Sequence, residues 1–229
     1  MKKQNLFFFT LFLFSGIYPL VGKSETTLTQ TTHKNIVLAK SEKDFINQLA
    51  KIAIISLTSP NSTDAEKHEK FKALFKQNFD VAAVSKFVLG RYNKRATPEE
   101  RKEYQKLFIE HVSKIYSGYL NQYNEKAFQT LRTIENKRGG IWVVSQVVRE
   151  KAPPINIKWL VFKSKPATSP TTYKIYDVIV EGVSLSVAQR SEYAAIIQKN
   201  GGTIQGLLKV MKQNIGSCYN KKNTDKKPA

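Results

Sequence analysis

The 229 residues carry a formal net charge of +19, with 41% hydrophobic side chains and a single cysteine. Cys218 alone excludes an internal disulfide, so the fold must stand on packing. The positive balance favours anionic partners: phospholipid headgroups, a membrane surface or acidic protein faces.

Met1-Lys2-Lys3 opens the chain with positive charge, and residues 6–13 are apolar except for Thr10. The apolar stretch continues to Val21 with breaks at Ser15, Gly16 and Pro19. A short apolar core after two lysines and before small residues predicts a secretory signal peptide. A membrane anchor needs about 20 uninterrupted apolar residues, and Pro19 and Lys23 cut this run short. Gly22 and Ser24 suit the −3 and −1 cleavage positions, so the expected cut follows Ser24 and residues 1–24 are the signal. The cut removes Lys2, Lys3 and Lys23 and no acid, taking the net charge from +19 to +16. The site offers no cysteine for lipid modification, and no later stretch has the length and apolarity of a membrane span, so the expected mature protein is soluble. Nucleic acid fits the charge as well as lipid does, but an exported chain rarely meets it.

Residues 25–40 are polar and threonine-rich (Thr26, Thr27, Thr29, Thr31, Thr32), which predicts a flexible leader. Residues 41–216 follow as one domain, long enough for a substantial core. Residues 217–229, with Lys221, Lys222, Lys226 and Lys227, read as a basic disordered tail.

The first half of the domain is helical. Phe45, Ile46, Leu49, Ile52, Ala53 and Ile55 predict a helix over 44–57. Thr63 and Glu66 form a capping box, and Phe71, Leu74, Phe75 and Asn78 trace one face of the helix that follows. Asp80 can cap a short helix bearing Val81, Val84, Phe87 and Val88. Thr97-Pro98-Glu99-Glu100 is a stronger start signal, for a long helix to about residue 123. Its stripe of Tyr104, Phe108, Tyr116 and Tyr119 reads as core.

The period then changes. Residues 128–135, 141–149, 155–163 and 173–180 read as strands. Lys137-Arg138-Gly139-Gly140, Ala152-Pro153-Pro154 and residues 166–170 separate them with turn chemistry, which predicts an antiparallel meander. Two helices, 191–199 and 203–215, close the domain on either side of Gly201-Gly202. Helices followed by strands imply α+β architecture. Ile141-Trp142-Val143-Val144 and Val178-Ile179-Val180 do not alternate, so both faces of the sheet are expected to be covered, by helix or by a ligand.

Chemistry-bearing motifs are scarce. His33, His68 and His111 lie far apart, and no CxxC, HExxH, GxSxG or phosphate-cradling loop occurs. His111 falls on the apolar face of its helix, the setting of a hydrogen-bonded core histidine. Asp177 sits inside an apolar strand. It is either a general base with a raised pKa or a structural carboxylate paired with an arginine such as Arg149 or Arg190.

Phe87-Val88-Leu89-Gly90-Arg91-Tyr92 followed by Ala96-Thr97-Pro98-Glu99-Glu100-Arg101 resembles the LGRYW…ATPEQR segment of MlaC proteins. The stretch from Tyr176-Asp177-Val178 to Glu181-Gly182-Val183-Ser184-Leu185 is similar to their YDVxVEGVSL strand and turn. Arg190-Ser191-Glu192-Tyr193, Ile196-Ile197 and a closing helix over 202–211 follow in the same order, so the resemblance covers about residues 42–216. The chain departs from the family pattern at Asn93, where many members carry an aromatic residue, and in its basic tail.

The resemblance implies a fold and a function. The fold is a four-stranded curved antiparallel sheet wrapped by helices, cystatin-like or nuclear-transport-factor-like, with an apolar ligand cavity. The function is that of a soluble periplasmic phospholipid carrier. It would exchange lipid between an outer-membrane lipoprotein–porin complex and an inner-membrane ABC transporter, with two acyl chains in the pocket. No nucleic acid, cofactor, metal or catalytic step is implied. A small-pocket enzyme of the same fold, using Asp177 as general base, is the alternative. The expected lipid-binding residues are Phe108, Val112 and Ile115 of the long helix, Val143, Val147, Trp159, Val161, Val178 and Val180 of the strands, and Ile197, Leu208 and Met211 of the last helices.

Overall fold

The computed structural model describes residues 39–119, 128–149, 152–164 and 173–224. The expected signal peptide, most of the leader, the far end of the tail, the turn at 166–170 and the helix end at 120–123 lie outside them.

Side-chain caps set the helix starts. Helix α1 spans Glu42–Thr58, with Ser41 accepting from the Asp44 amide at 3.1 Å. Helix α2, Asp64–Asn78, opens on the expected capping box: Thr63 N donates to Glu66 Oε2 at 2.7 Å and Glu66 N to Thr63 Oγ1 at 3.2 Å. Asp80 caps α3, Val81–Leu89, through the Ala83 amide. A 3₁₀ turn over Gly90–Lys94 leads to α4, Pro98–Tyr119, whose start is closed by the reciprocal Thr97–Glu100 bonds. These pairs satisfy amide donors that a first helical turn leaves without partners.

The strands are β1 Phe128–Glu135, β2 Ile141–Arg149, β3 Ala152–Lys163, β4 Tyr173–Val180 and a short β5, Val183–Ser184. They pair antiparallel in the order β1-β2-β3-β4-β5. The β1–β2 hairpin needs Gly140. Its φ is +79°, and a Cβ there would lie 2.8 Å from the Val161 carbonyl oxygen and 2.8 Å from the Phe162 ring. Two more helices follow, α5 Leu185–Lys199 and α6 Ile204–Thr224.

Four boundaries differ from the sequence reading. Pro153 and Pro154 are the second and third residues of β3 rather than part of a loop, because the register with β2 slips between Ile155 and Ala152 and leaves both without a ladder bond to donate. β5 is too short to show a period. It follows a two-residue turn in which Glu181 (φ 47°) and Gly182 (φ 83°) both take positive φ, and glutamate is an unusual residue for that geometry. Helix α5 begins at Leu185 rather than Ser191, capped by Ser184 through the Val187 amide at 3.1 Å. Helix α6 continues to Thr224, into the expected tail, since 217–224 contains neither Pro nor Gly.

The described residues form two hydrophobic cores. One is helical: Phe75, Val88, Tyr104, Phe108, Tyr193, Ile197, Leu207, Leu208 and Met211 pack where α2 to α6 meet. The other lies between α1 and the sheet. Phe79 packs against both cores, bridges Ile175 in parallel register, and lets the Asp80 amide donate to the Ile175 carbonyl at 3.0 Å. The α2–α3 junction thereby covers part of the edge of β4.

Candidate functional site

Alternation decides which side chains α1 meets. Direct cross-strand partners share a face, and the rows Val143–Trp159–Val178 and Phe128–Val147–Ile155 both follow from the pairing. On the α1 side, Phe45, Ile46, Leu49 and Ile52 pack with Val143, Val161, Ile175 and Val178. Each side chain of this size contributes roughly 1.5–3 kcal/mol when fully buried, an upper bound because unfolded chains already bury some apolar surface.

A polar pair interrupts this face on β2 and β3, and it is satisfied. Trp159 Nε1 donates to Ser145 Oγ at 2.9 Å, and Ser145 Oγ donates to the Ile157 carbonyl at 3.3 Å. The polar ties from α1 and from Lys40 ahead of its cap are few: Thr130 Oγ1 donates to Asn47 Oδ1 at 2.9 Å, and Tyr173 Oη to the Lys40 carbonyl at 3.4 Å. A cleft of about 230 Å³ opens at the margin between α1 and β1, lined by Asn47, Lys51, Ile54 and Phe128. A second, of about 350 Å³, lies among α3, the 3₁₀ turn and α4, with Lys86, Arg101 and Lys102 in its polar lining.

The expected lipid-binding residues divide between the two cores. Val143, Val161 and Val178 are buried beneath α1, with Trp159 and Val180 half-buried against them. Val147 is buried on the same face, opposite Phe128 and Ile155. Phe108, Val112, Ile197, Leu208 and Met211 belong to the helical core instead, and Ile115 is half-buried on α4. The strand residues therefore face one another and the helix residues face one another. Sequence reasoning left out the α1 side chains that close the sheet face, although Phe45, Ile46, Leu49 and Ile52 recur at helical spacing.

The structure also corrects the surroundings of Asp177. Among the described residues no arginine pairs with it: Arg149 donates to the Pro153 carbonyl, and Arg190 lies over the Phe87 ring. Asp177 Oδ1 accepts from the Val178 and Ser186 amides, and Oδ2 from the Ser184 hydroxyl at 2.7 Å. The carboxylate joins β4 to the start of α5. Both oxygens are occupied by fixed donors, so the geometry is that of a clasp.

His111 is buried in the helical core, with its ring edge-on to Tyr193. Its Nε2 has no hydrogen-bond partner among the described residues. Burial pushes its pKa below the ordinary histidine value, against the weaker upward pull of Glu192. No group of three or more His, Cys, Asp or Glu that could hold a metal occurs among the described residues. No described helix is long and apolar enough to cross a membrane.

The family model for the MlaC protein matches residues 47–213. The chain belongs to the MlaC family. Its fold is similar to a solved structure, the phospholipid-binding protein from Ralstonia solanacearum in complex with a phospholipid. The TM-score is 0.64 at 19% identity, over 76% of this chain and 97% of that one. At that identity the likeness concerns the fold. The strand and turn from Tyr176 to Leu185, which carried the resemblance to MlaC proteins, is the segment fastened by the Asp177 clasp.

Proposed function

We propose that this MlaC-family protein is a soluble phospholipid carrier of the periplasm, taking lipid acyl chains between α1 and the inner face of the sheet. The observation that carries the reading is the construction of that face. It is apolar across β2, β3 and β4, it is closed by one amphipathic helix, and a cleft opens at the helix margin. The seam is held mainly by non-directional apolar contact, which a chain of methylenes can replace group for group.

The magnitudes favour an enclosed site. A buried methylene contributes about 0.8 kcal/mol. An acyl chain of ~14 methylenes leaving a bilayer needs roughly 11 kcal/mol of replacement burial, and two chains need twice that. A shallow groove cannot supply it, whereas a sheet face under a separable helix comes close to balance with the membrane, as a shuttle requires. Lys51 at the cleft places a cation where a phosphate headgroup would meet water. Val143, Val147, Trp159, Val161, Val178 and Val180 would form the sheet wall of the site, and Phe45, Ile46, Leu49 and Ile52 of α1 its helical side, whereas Phe108, Val112, Ile197, Leu208 and Met211 pack in the helical core apart from it. The family membership and the fold of the Ralstonia solanacearum protein support the reading. On it, the partners are an outer-membrane lipoprotein–porin complex and an inner-membrane ABC transporter, the N-terminal 24 residues are removed on export, and no bond-making step is needed.

The test is organic extraction of gently purified protein, with mass spectrometry to identify lipid and a phosphorus assay for stoichiometry. Phospholipid near one molecule per chain is expected. Folded protein that repeatedly carries no lipid and accepts none from vesicles would overturn the carrier reading.

A further inference from the structure

The sheet face turned away from α1 is built from two neighbouring rows. Ile134, Trp142 and Leu160 are direct cross-strand partners, and the row ends at Asp177. Arg132, Val144 and Lys158 form the next row, which ends at Ile179. Of the described helices, α1 is the one that packs substantially on β1, β2 and β3, and it does so from the other side. No described helix packs substantially on this outer face over β1, β2 and β3. Ile134 remains 41% exposed, and Val148, farther along the same face of β2 by alternation, 40% exposed.

The basic charges on this face over β1 to β3 have no described acid as partner. The described ion pairs involve His68, Lys72 and Lys212, so neither Arg132 nor Lys158 is paired with a described acid. Asp177, the acid on these rows, is consumed by Val178, Ser184 and Ser186. Lys137 and Arg138 at the β1–β2 tip extend the positive rim. Val144 is buried while its row partners Arg132 and Lys158 are exposed, and basic residues can lay their stems over an apolar surface while holding their charges outward.

We propose that this outer face docks the protein on an anionic phospholipid surface. A face with no described helix over three strands that alternates apolar and cationic rows, with a tryptophan in the apolar row, matches the chemistry of a bilayer interface: acyl boundary for Ile134, Trp142 and Leu160, phosphate for Arg132 and Lys158. A second copy of the chain is a poor occupant, because two such faces repel and the whole chain carries +19. The proposal is independent of what the inner face holds, so lipid-free protein that docks and lipid-bearing protein that does not are distinct results.

Co-sedimentation with vesicles of phosphatidylglycerol and phosphatidylethanolamine tests it, with phosphatidylcholine vesicles as the neutral reference. The protein is expected to pellet with the anionic vesicles and not with the neutral ones. A basic residue at an anionic surface raises partitioning roughly fivefold, so Arg132→Gln with Lys158→Gln should lower it about 25-fold at unchanged thermal stability. In Trp159→Phe, which leaves Trp142 as the only tryptophan, brominated lipid should quench the emission. Absence of binding to anionic vesicles, wild-type binding by the double variant, or a concentration-dependent dimer abolished by the same substitutions would each overturn the proposal. So would loss of binding on reversing Arg91, Lys94 and Arg95 alone, which would put the docking surface at the α3–α4 corner.

Discussion

The Ser184 hydroxyl donates to Asp177 Oδ2 at 2.7 Å, and the same hydroxyl oxygen accepts the Val187 amide at 3.1 Å. One serine thus serves the β4 carboxylate and the first turn of α5 together. Asp177→Asn keeps the shape of the clasp and removes its charge. Hydrogen bonds to charged groups contribute about 1.5–3 kcal/mol each, and Asp177 is half-buried, so a net loss of about 1.5 kcal/mol is expected, or roughly 3–6 °C in melting temperature. Lipid content of the folded fraction should be unchanged. A fully stable variant that had lost turnover of a small substrate would instead make Asp177 a catalytic base.

Filling the inner face should exclude lipid. Val147 and Val178 are buried on the α1 side of β2 and β4. Val147→Trp and Val178→Trp should each reduce extracted phospholipid several-fold while circular dichroism still reports a folded α+β domain. Wild-type lipid content in both folded variants would place the acyl chains elsewhere.

His111 makes stability depend on pH. Its folded-state pKa is lowered, chiefly by burial, from an ordinary value of about 6.5. The unfolded chain therefore binds the proton more readily than the folded one. Stability from this group is complete above about pH 6.5 and falls as pH drops toward the folded value. Glu192 works against the shift and Lys114 adds to it. Replacing the ring by His111→Phe keeps the edge contact with Tyr193 and removes the titration. Between pH 7.5 and 5.5, in thermal melts, the wild type should lose more stability than the variant. Parallel losses would show that His111 is not the group responsible.

The β1–β2 hairpin separates two glycine effects. Gly139 and Gly140 both have positive φ, but a Cβ at Gly139 meets the Phe162 ring at 3.5 Å, whereas one at Gly140 meets the Val161 carbonyl at 2.8 Å. Gly139→Ala should cost about 1 kcal/mol, the backbone penalty alone. Gly140→Ala adds a clash with a backbone atom that cannot swing aside, and should cost at least about 2 kcal/mol. Denaturant melts of the two variants measure the difference, and equal losses would mean that the β3 backbone yields.

Local rules made much of the fold legible in the sequence. Thr63–Glu66 and Thr97–Glu100 act within four residues of chain, and both capping boxes form as expected. The four long strands follow from period and turn residues, and the motifs around Leu89-Gly90-Arg91-Tyr92 and Asp177-Val178 pointed to the family whose model matches. The start of α5 was not legible, because a single serine cap defines it while residues 185–190 carry no clear apolar stripe.

What only the tertiary structure decided is which apolar residues share a space. Val143 and Phe108 are equally hydrophobic positions on well-defined elements, yet one packs under α1 and the other against Tyr193. Periodicity gives the direction of a side chain relative to its own element. It does not say which element lies opposite, because hydrophobic burial is non-directional and any apolar face satisfies any other. Asp177 shows the same limit. Sequence required a partner for a carboxylate in an apolar strand. That the partners are two amides and a serine brought round by the Glu181-Gly182 turn, rather than an arginine, was settled by where β4 and α5 meet.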